Sequence, residues 1–216
     1  MSRILITSGP TRQYLDPVRY LTNASSGRMG AALAAAAIEA GHQVVIVSGP
    51  VDVSYSAEAK VVPARSTEDM LAACIEEFPA CDGLIAAAAP CDYRPTAVAP
   101  NKICKSGSPL RLELVETPDI VAALAAIRTS QWIVAFALET EDQHLRAMQK
   151  LERKNCDLIV VNGPEAIDAS GTSAEVLGKD GQVLGRFSGP KPAVAENILA
   201  IIRQQLIPRS SRGDSG

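Results

Sequence analysis

The sequence predicts an α/β fold: a Rossmann-like, doubly wound, mainly parallel sheet with a short antiparallel hairpin extension near the C-terminus. Three observations predict it. Strand-like and helix-like patterns alternate along most of the 216 residues. Val44-Val45-Ile46-Val47 and residues 158–161 are near-continuous apolar runs, as expected of parallel strands covered on both faces. The first fifty residues hold a strand–loop–helix–strand unit, the opening of a nucleotide-binding sheet.

The elements follow in order. Ile4-Leu5-Ile6 marks a strand over 3–8 that runs into Ser8-Gly9-Pro10. A long polar loop then carries Arg12, Asp16, Arg19 and Asn23, where a dinucleotide-binding turn is short and reads G-x-G-x-x-G. Loops longer than about 12–15 residues in compact domains tend to be functional or disordered. Ser25-Ser26-Gly27 open an Ala-rich helix over 25–40 that ends near Gly41, and a strand over 43–48 closes on Ser48-Gly49-Pro50. Further strands are predicted at 59–63, 83–88, 110–115, 132–138 and 157–161, and helices at 66–78, 118–128, 141–154 and 190–206. Thr117 caps the 118–128 helix in this reading, with Pro118 in its first turn. Asp180-Gly181 between short apolar runs predicts a hairpin that extends one edge of the sheet. Residues 1–208 are expected to form a single nucleotide-binding domain, and 209–216 a disordered tail.

Composition narrows the function. A net charge of -3 gives no basic footprint for nucleic acid. No apolar run is long enough to span a bilayer, and the N-terminus lacks a signal-peptide pattern. Five scattered cysteines without a C-x-x-C pair read as reduced thiols in cytosol. There is no Walker A sequence, no G-x-S-x-G elbow, no Cys/His zinc spacing and no Tyr-x-x-x-Lys pair. What remains works by positioning, cationic groups and backbone dipoles, a profile that suits nucleotidyl transfer to a carboxylate.

Four segments could carry that chemistry. Ser25, Ser26 and Gly27 open a helix whose free N–H groups attract phosphate; alternatively they are ordinary caps and packing glycines. Arg19 offers a planar fork for phosphate or carboxylate, and Asn23 an amide that holds an acyl carbonyl without titrating. The plainer alternative is a loop pinned by an Asp16–Arg19 ion pair and an Asn turn. A strand ends in Ala86-Ala87-Ala88-Ala89 and then Asp92, small residues at the strand end where open α/β sheets bind ligands. The Pro-rich stretch after it reads as a mobile arm delivering Lys102 and Lys105, or else as a solvated loop. Lys150 and Lys154 share one face in the last turn of the 141–154 helix, where solvated cations oppose the dipole.

These residues carry a resemblance. GPTRQYLDPVRYLTNASSGRMG, HQVVIVSGP, DYRPTAVAPNKICK, ETPDIV, IVAFALET and KLERKNCDLIVVN together resemble the phosphopantothenoylcysteine synthetases of coenzyme A biosynthesis. In many bacteria that enzyme is the C-terminal half of a bifunctional flavoprotein. The resemblance implies a CTP-dependent ligase in which CTP and 4'-phosphopantothenate give an acyl-cytidylate and pyrophosphate, and cysteine then displaces CMP. It implies Mg²⁺ on the triphosphate with no metal ligand from the protein, no flavin, a cytoplasmic location and a homodimer. Asn23 matches the residue that holds the acyl intermediate, and Lys102 the lysine acting in activation. Arg19 matches an arginine reaching phosphopantothenate from the partner subunit. Ala88, Ala89 and Asp92 match strand-end contacts to nucleotide and substrate, and the small-residue strand end adds Ala86 and Ala87 to the expected nucleotide site. Thr117, Pro118, Asp119, Ile120, Phe136, Lys150 and Lys154 match nucleotide contacts, and the helix start adds Ser25, Ser26 and Gly27 to the expected nucleotide site. Two departures stand out: Cys104 replaces a lysine of the usual Lys-x-Lys-Lys loop, and Pro90-Cys91 precede Asp92. The flavin-dependent decarboxylase half is expected to be a separate protein or to lie outside this chain. The competing readings are an NAD(P)-dependent oxidoreductase on the same fold and a non-catalytic nucleotide-binding module.

Overall fold

The computed structural model describes residues 1–138, 143–162 and 171–207. The expected tail at 209–216 lies outside them. The chain runs through β1 (Arg3–Ser8), β2 (Arg12–Tyr14), β3 (Tyr20–Thr22), α1 (Arg28–Glu39), β4 (Gln43–Ser48), β5 (Lys60–Pro63), α2 (Thr67–Glu77) and β6 (Gly83–Ala86). It continues through β7 (Tyr93–Pro95), β8 (Leu114–Glu116), α3 (Ile120–Ile127), β9 (Trp132–Leu138), α4 (Gln143–Arg153), β10 (Leu158–Asn162), β11 (Gly171–Gly178), β12 (Val183–Pro190) and α5 (Lys191–Gln205).

The main sheet has the order β12-β11-β10-β9-β6-β1-β4-β5. From β10 to β5 every neighbouring pair is parallel; β11 and β12 add antiparallel strands at one edge. The predicted hairpin is therefore present, with strands of eight residues each. Side chains alternate across the strands. Ile4, Ile6, Val44, Ile46 and Val160 pack with α1 and α5 on one face. Leu5, Val45, Leu84, Ile133 and Ile159 pack with Met70 and Cys74 of α2, Leu124 of α3 and Leu151 of α4 on the other. The chain leaves β1 toward β4 and β5, and leaves β6 toward β9 and β10 on the opposite side. The carboxyl ends of β1 and β6 are thus the point where the strand order reverses, the place where open α/β sheets hold ligands.

Several local expectations give way. The long loop after β1 folds into the β2–β3 hairpin, and the strand expected at 110–115 is β8, paired with β7 in a second hairpin outside the main sheet. Leu110, Leu112 and Leu114 alternate with polar residues, yet all three are exposed. Helix α1 begins at Arg28 and is not capped by Ser25 or Ser26: its N-cap is Gly27, at a φ of 74°, with no side-chain cap. Only a residue tolerant of positive φ turns the chain there, and Ser8 Oγ donates to the Gly27 carbonyl at 3.2 Å. Helix α3 is likewise capped by Asp119, whose carboxylate accepts from Ala122 N–H at 3.1 Å, and not by Thr117. Thr117 is taken by another partner, donating its hydroxyl to the Cys91 carbonyl at 2.6 Å.

Candidate active site

A cavity of about 750 Å³ opens at the strand-order reversal. Its floor is the alanine run 86–89 with Ala135 and Ala137, whose methyl-sized side chains leave room above the sheet. One wall is the start of α1 with Ser25, Ser26 and Gly27 before it; Asn23 and Asp92 stand at the same cavity. The opposite wall is Thr117, Pro118, Asp119 and Ile120 with Phe136, Lys150 and Lys154. A site of this size with a few convergent polar groups suits a nucleotide-sized ligand.

Each polar group is fixed by local structure. Asn23 Nδ2 donates to the carbonyls of Ala89 and Pro90, at 3.2 and 2.8 Å, which ties the loop before α1 to the end of β6. Cys91, buried beneath them, anchors the same junction: its N–H donates to Thr11 Oγ1 at 2.8 Å and its carbonyl accepts from Thr67 and Thr117. Lys150 Nζ donates to the Phe136 carbonyl at 2.9 Å. Lys154 pairs with Asp119 at 2.9 Å and its side chain is only 14% exposed. The solvated helix end that position alone would suggest for these lysines does not describe them. Burial alone raises the Asp119 carboxyl, but Lys154 and the Ala122 N–H more than offset it and hold it below its ordinary value. Among the described residues, five cations (Arg28, Lys150, Arg153, Lys154 and Lys191) line the cavity against three carboxylates (Asp92, Glu116 and Asp119). The balance favours an anionic ligand.

Arg19 and Lys102 do not line this cavity. Arg19 sits in the turn pinned by Asp16, the plainer of the two arrangements its sequence allows. Asp16 is fully buried and accepts from Val18 N–H and Arg19 N–H, both at 2.8 Å, and from Ile103 N–H at 3.0 Å. Arg19 lies 3.4 Å from the same carboxylate and donates to the Ile103 carbonyl. Burial would raise the Asp16 carboxyl, yet the three N–H donors and the Arg19 charge leave it below its ordinary value. The basic loop is therefore tethered at Ile103, between exposed Lys102 and Lys105, and again where Ala99 N–H donates to the Leu15 carbonyl at 2.9 Å. Sequence reasoning missed Arg28, Asn162, Thr172 and Lys191, all at the cavity. Asn162 was findable, as the polar residue that ends an apolar strand. Lys191 had no signal beyond standing at a helix start. Among the described residues no cluster of three or more His, Cys, Asp or Glu forms a metal site, and no helix is long and apolar enough to cross a membrane.

A doubly wound sheet with a cation-lined cavity at its reversal point is an α/β protein of the ligand-holding, Rossmann-like class. The comparisons are more specific. The family model described as DNA/pantothenate metabolism flavoprotein C-terminal domain matches residues 1–206, and the chain belongs to this family. It is 40% identical over 211 residues to the coenzyme A biosynthesis bifunctional protein CoaBC of Vibrio cholerae, covering 94% of this chain and 53% of that protein. The chain spans about half the length of the curated relatives it matches. The crystal structure of the C-terminal domain of a CoaBC protein superposes with a TM-score of 0.80 at 36% identity, covering 95% of both chains. A Cab2 H337A mutant in complex with phosphopantothenate-cysteine shares the fold at a TM-score of 0.78 and 16% identity, covering 94% of this chain and 87% of that one.

Proposed function

We propose that this chain is a cytoplasmic phosphopantothenate–cysteine ligase that uses CTP. The observation that carries the proposal is the convergence of an uncapped helix start, a fixed asparagine amide and a cation-rich wall on one cavity. Similarity to the C-terminal half of coenzyme A biosynthesis proteins supports it. In the first step a carboxylate oxygen of 4'-phosphopantothenate attacks the α-phosphorus of CTP. The new bond gives the acyl-cytidylate, the Pα–O–Pβ bond breaks, and pyrophosphate leaves with its electron pair. Mg²⁺ enters with the triphosphate as its counter-ion. The N–H groups at the start of α1 stabilise charge on the phosphates. Asn23 exchanges a backbone carbonyl for the acyl oxygen and holds it through both steps without titrating. In the second step the cysteine amine attacks that carbonyl, loses a proton and expels CMP.

Lys102 acts from the tethered basic loop, which closes over the phosphates when they bind. Arg19 lies outside the cavity of its own chain, which fits an arginine serving the partner subunit of a homodimer. The exposed apolar residues of the two hairpins, among them Tyr93, Leu112, Leu114 and Val115, favour such a dimer.

The test is pyrophosphate release with 4'-phosphopantothenate, Mg²⁺ and either CTP or ATP, with and without cysteine. Release that requires the acid, with CMP and the cysteine adduct on adding cysteine, is the expected result. Asn23→Asp should release pyrophosphate but accumulate the acyl-cytidylate. No release with either nucleotide would leave a binding module or a different acid substrate.

A further inference from the structure

We infer that Lys191, with Thr172 and Asn162, forms the subsite that receives the two outer phosphates of the nucleotide, the pair that leaves as pyrophosphate. The inference rests on the nucleotide-dependent reading above and adds residues that nothing in that reading assigns. Lysine is among the residues least often buried, yet Lys191 is only 7% exposed and lines the cavity. Beside it Thr172 is 6% exposed, and Asn162 Oδ1 is shut off from solvent without a hydrogen-bond partner among the described residues. A buried polar atom left without a partner costs about 1–3 kcal/mol, so one at a cavity wall points to a ligand group that pairs with it. Phosphate oxygens only accept, so the amide meets them by turning its NH₂ into the place its oxygen now holds.

Topology places these groups together. β11 runs antiparallel to β10, and β12 antiparallel to β11, so β12 points the same way as β1. Helix α5 therefore begins at the same edge of the sheet as α1, and the two helices pack on the same face. Asn162 pairs with Ala174, and Thr172 with Gly189, so β10, β11 and β12 bring Asn162, Thr172 and Lys191 to that edge. A triphosphate reaching away from the alanine floor lies between two helix starts. Its α-phosphate meets Gly27 and its outer phosphates meet the α5 start. Lys191 also interacts with another group of the protein; its ammonium has three donors, so a phosphate oxygen adds to that contact and need not displace it. Lys150 and Lys154, bound to Phe136 and Asp119, serve the other end of the cavity.

The test is calorimetric binding of inorganic tripolyphosphate, CTP and CMP, each with Mg²⁺, to the full chain and to Lys191→Met and Lys191→Arg. The expected result is a loss of tenfold or more in tripolyphosphate and CTP affinity in Lys191→Met, with CMP affinity unchanged and substantial recovery in Lys191→Arg. Unchanged CMP binding shows that the variant is folded. Should Lys191→Met prove unfolded, Thr172→Val takes its place and the same selective loss is expected. Equal loss for CMP and CTP, no loss at all, or a wild-type chain that does not bind tripolyphosphate overturns the subsite. A chain that binds tripolyphosphate through Lys191 but releases no pyrophosphate from CTP with the acid overturns the ligase reading and leaves the subsite standing.

Discussion

At the scale of single residues, the chemistry that the cysteines can do is decided by burial. Burial pushes the Cys74 thiol up to about 12 and those of Cys81 and Cys156 to about 11, and it also raises Cys91. None of these four is a thiolate at neutral pH, and all four are buried. Cys104, in the basic loop, is exposed. One thiol should therefore react within minutes with a disulfide reagent at pH 8, and all five after unfolding in urea. Cys104→Ser should abolish the fast phase. A second fast thiol in the native chain would mean that one of the buried four is reached by local opening. The same logic explains which site residues were legible. That Asp92 and the alanine run would stand at the cavity was readable because a strand end is local in sequence, and Asn23 because it stands just before a helix start. The state of Lys150 and Lys154 was not, because their partners Phe136 and Asp119 come from other elements. The capping roles given to Ser25, Ser26 and Thr117 failed for a similar reason. Side-chain preference at a cap is real but weak, about 1 kcal/mol. At α1 the turn through Gly27 outweighed it, and at α3 the bond to the Cys91 carbonyl did.

At the scale of elements, the helix that opens the site is held by one close approach. A Cβ on Gly30 would lie 2.3 Å from Ser8 Oγ, 2.6 Å from Ser8 Cβ and 3.1 Å from Ser8 Cα. The last of these is backbone, so rotating the serine does not relieve the clash; α1 must move off β1. Gly30→Ala is expected to cost about 1–3 kcal/mol, the usual range for overpacking. It should also weaken nucleotide binding, because the shift carries Gly27 and the N–H groups beside it. Urea unfolding and calorimetric titration with CTP check both effects. Lower stability with unchanged affinity would show that the helix start does not touch the ligand. Amphipathic and doubly apolar patterns made α1 to α5 and the buried strands readable to within a few residues. The hairpins β2–β3 and β7–β8 were not readable as such. Each strand has three residues and no turn sequence of the Asn-Gly kind marks them. What positions the first is the buried Asp16 carboxylate, a long-range link to Ile103 that no local pattern encodes.

At the scale of the whole molecule, the two edges of the sheet do different work. The carboxyl edge carries the polar cavity, while the amino edge is closed by a buried histidine. His42 follows the turn after α1. Its Nδ1 accepts from Ser2 N–H at 3.2 Å, so the neutral ring carries its proton on Nε2, which has no partner among the described residues. Burial lowers its pKa from the ordinary 6.5, and the nearby Arg203 of α5 and the chain's amino group lower it further; Asp82 opposes them. The folded chain therefore resists binding a proton that the unfolded chain takes up near 6.5. Wherever the unfolded state binds more protons, stability rises with pH. The contribution of His42 is thus complete above that value and is lost as pH falls below it toward the depressed folded pKa. Protonation at Nδ1 also breaks the bond that holds the start of β1. The melting temperature should fall from pH 7 to pH 5 in the wild-type chain, and less steeply in His42→Gln, which keeps an acceptor but does not titrate. Hydrogen-exchange protection of the first residues, taken relative to the free-amide rate at each pH, should fall over the same interval in the wild type alone. Identical slopes in the two proteins would assign the acid sensitivity to carboxylates elsewhere, since Asp16 and Asp119, both held below their ordinary values, lose their contribution only at lower pH.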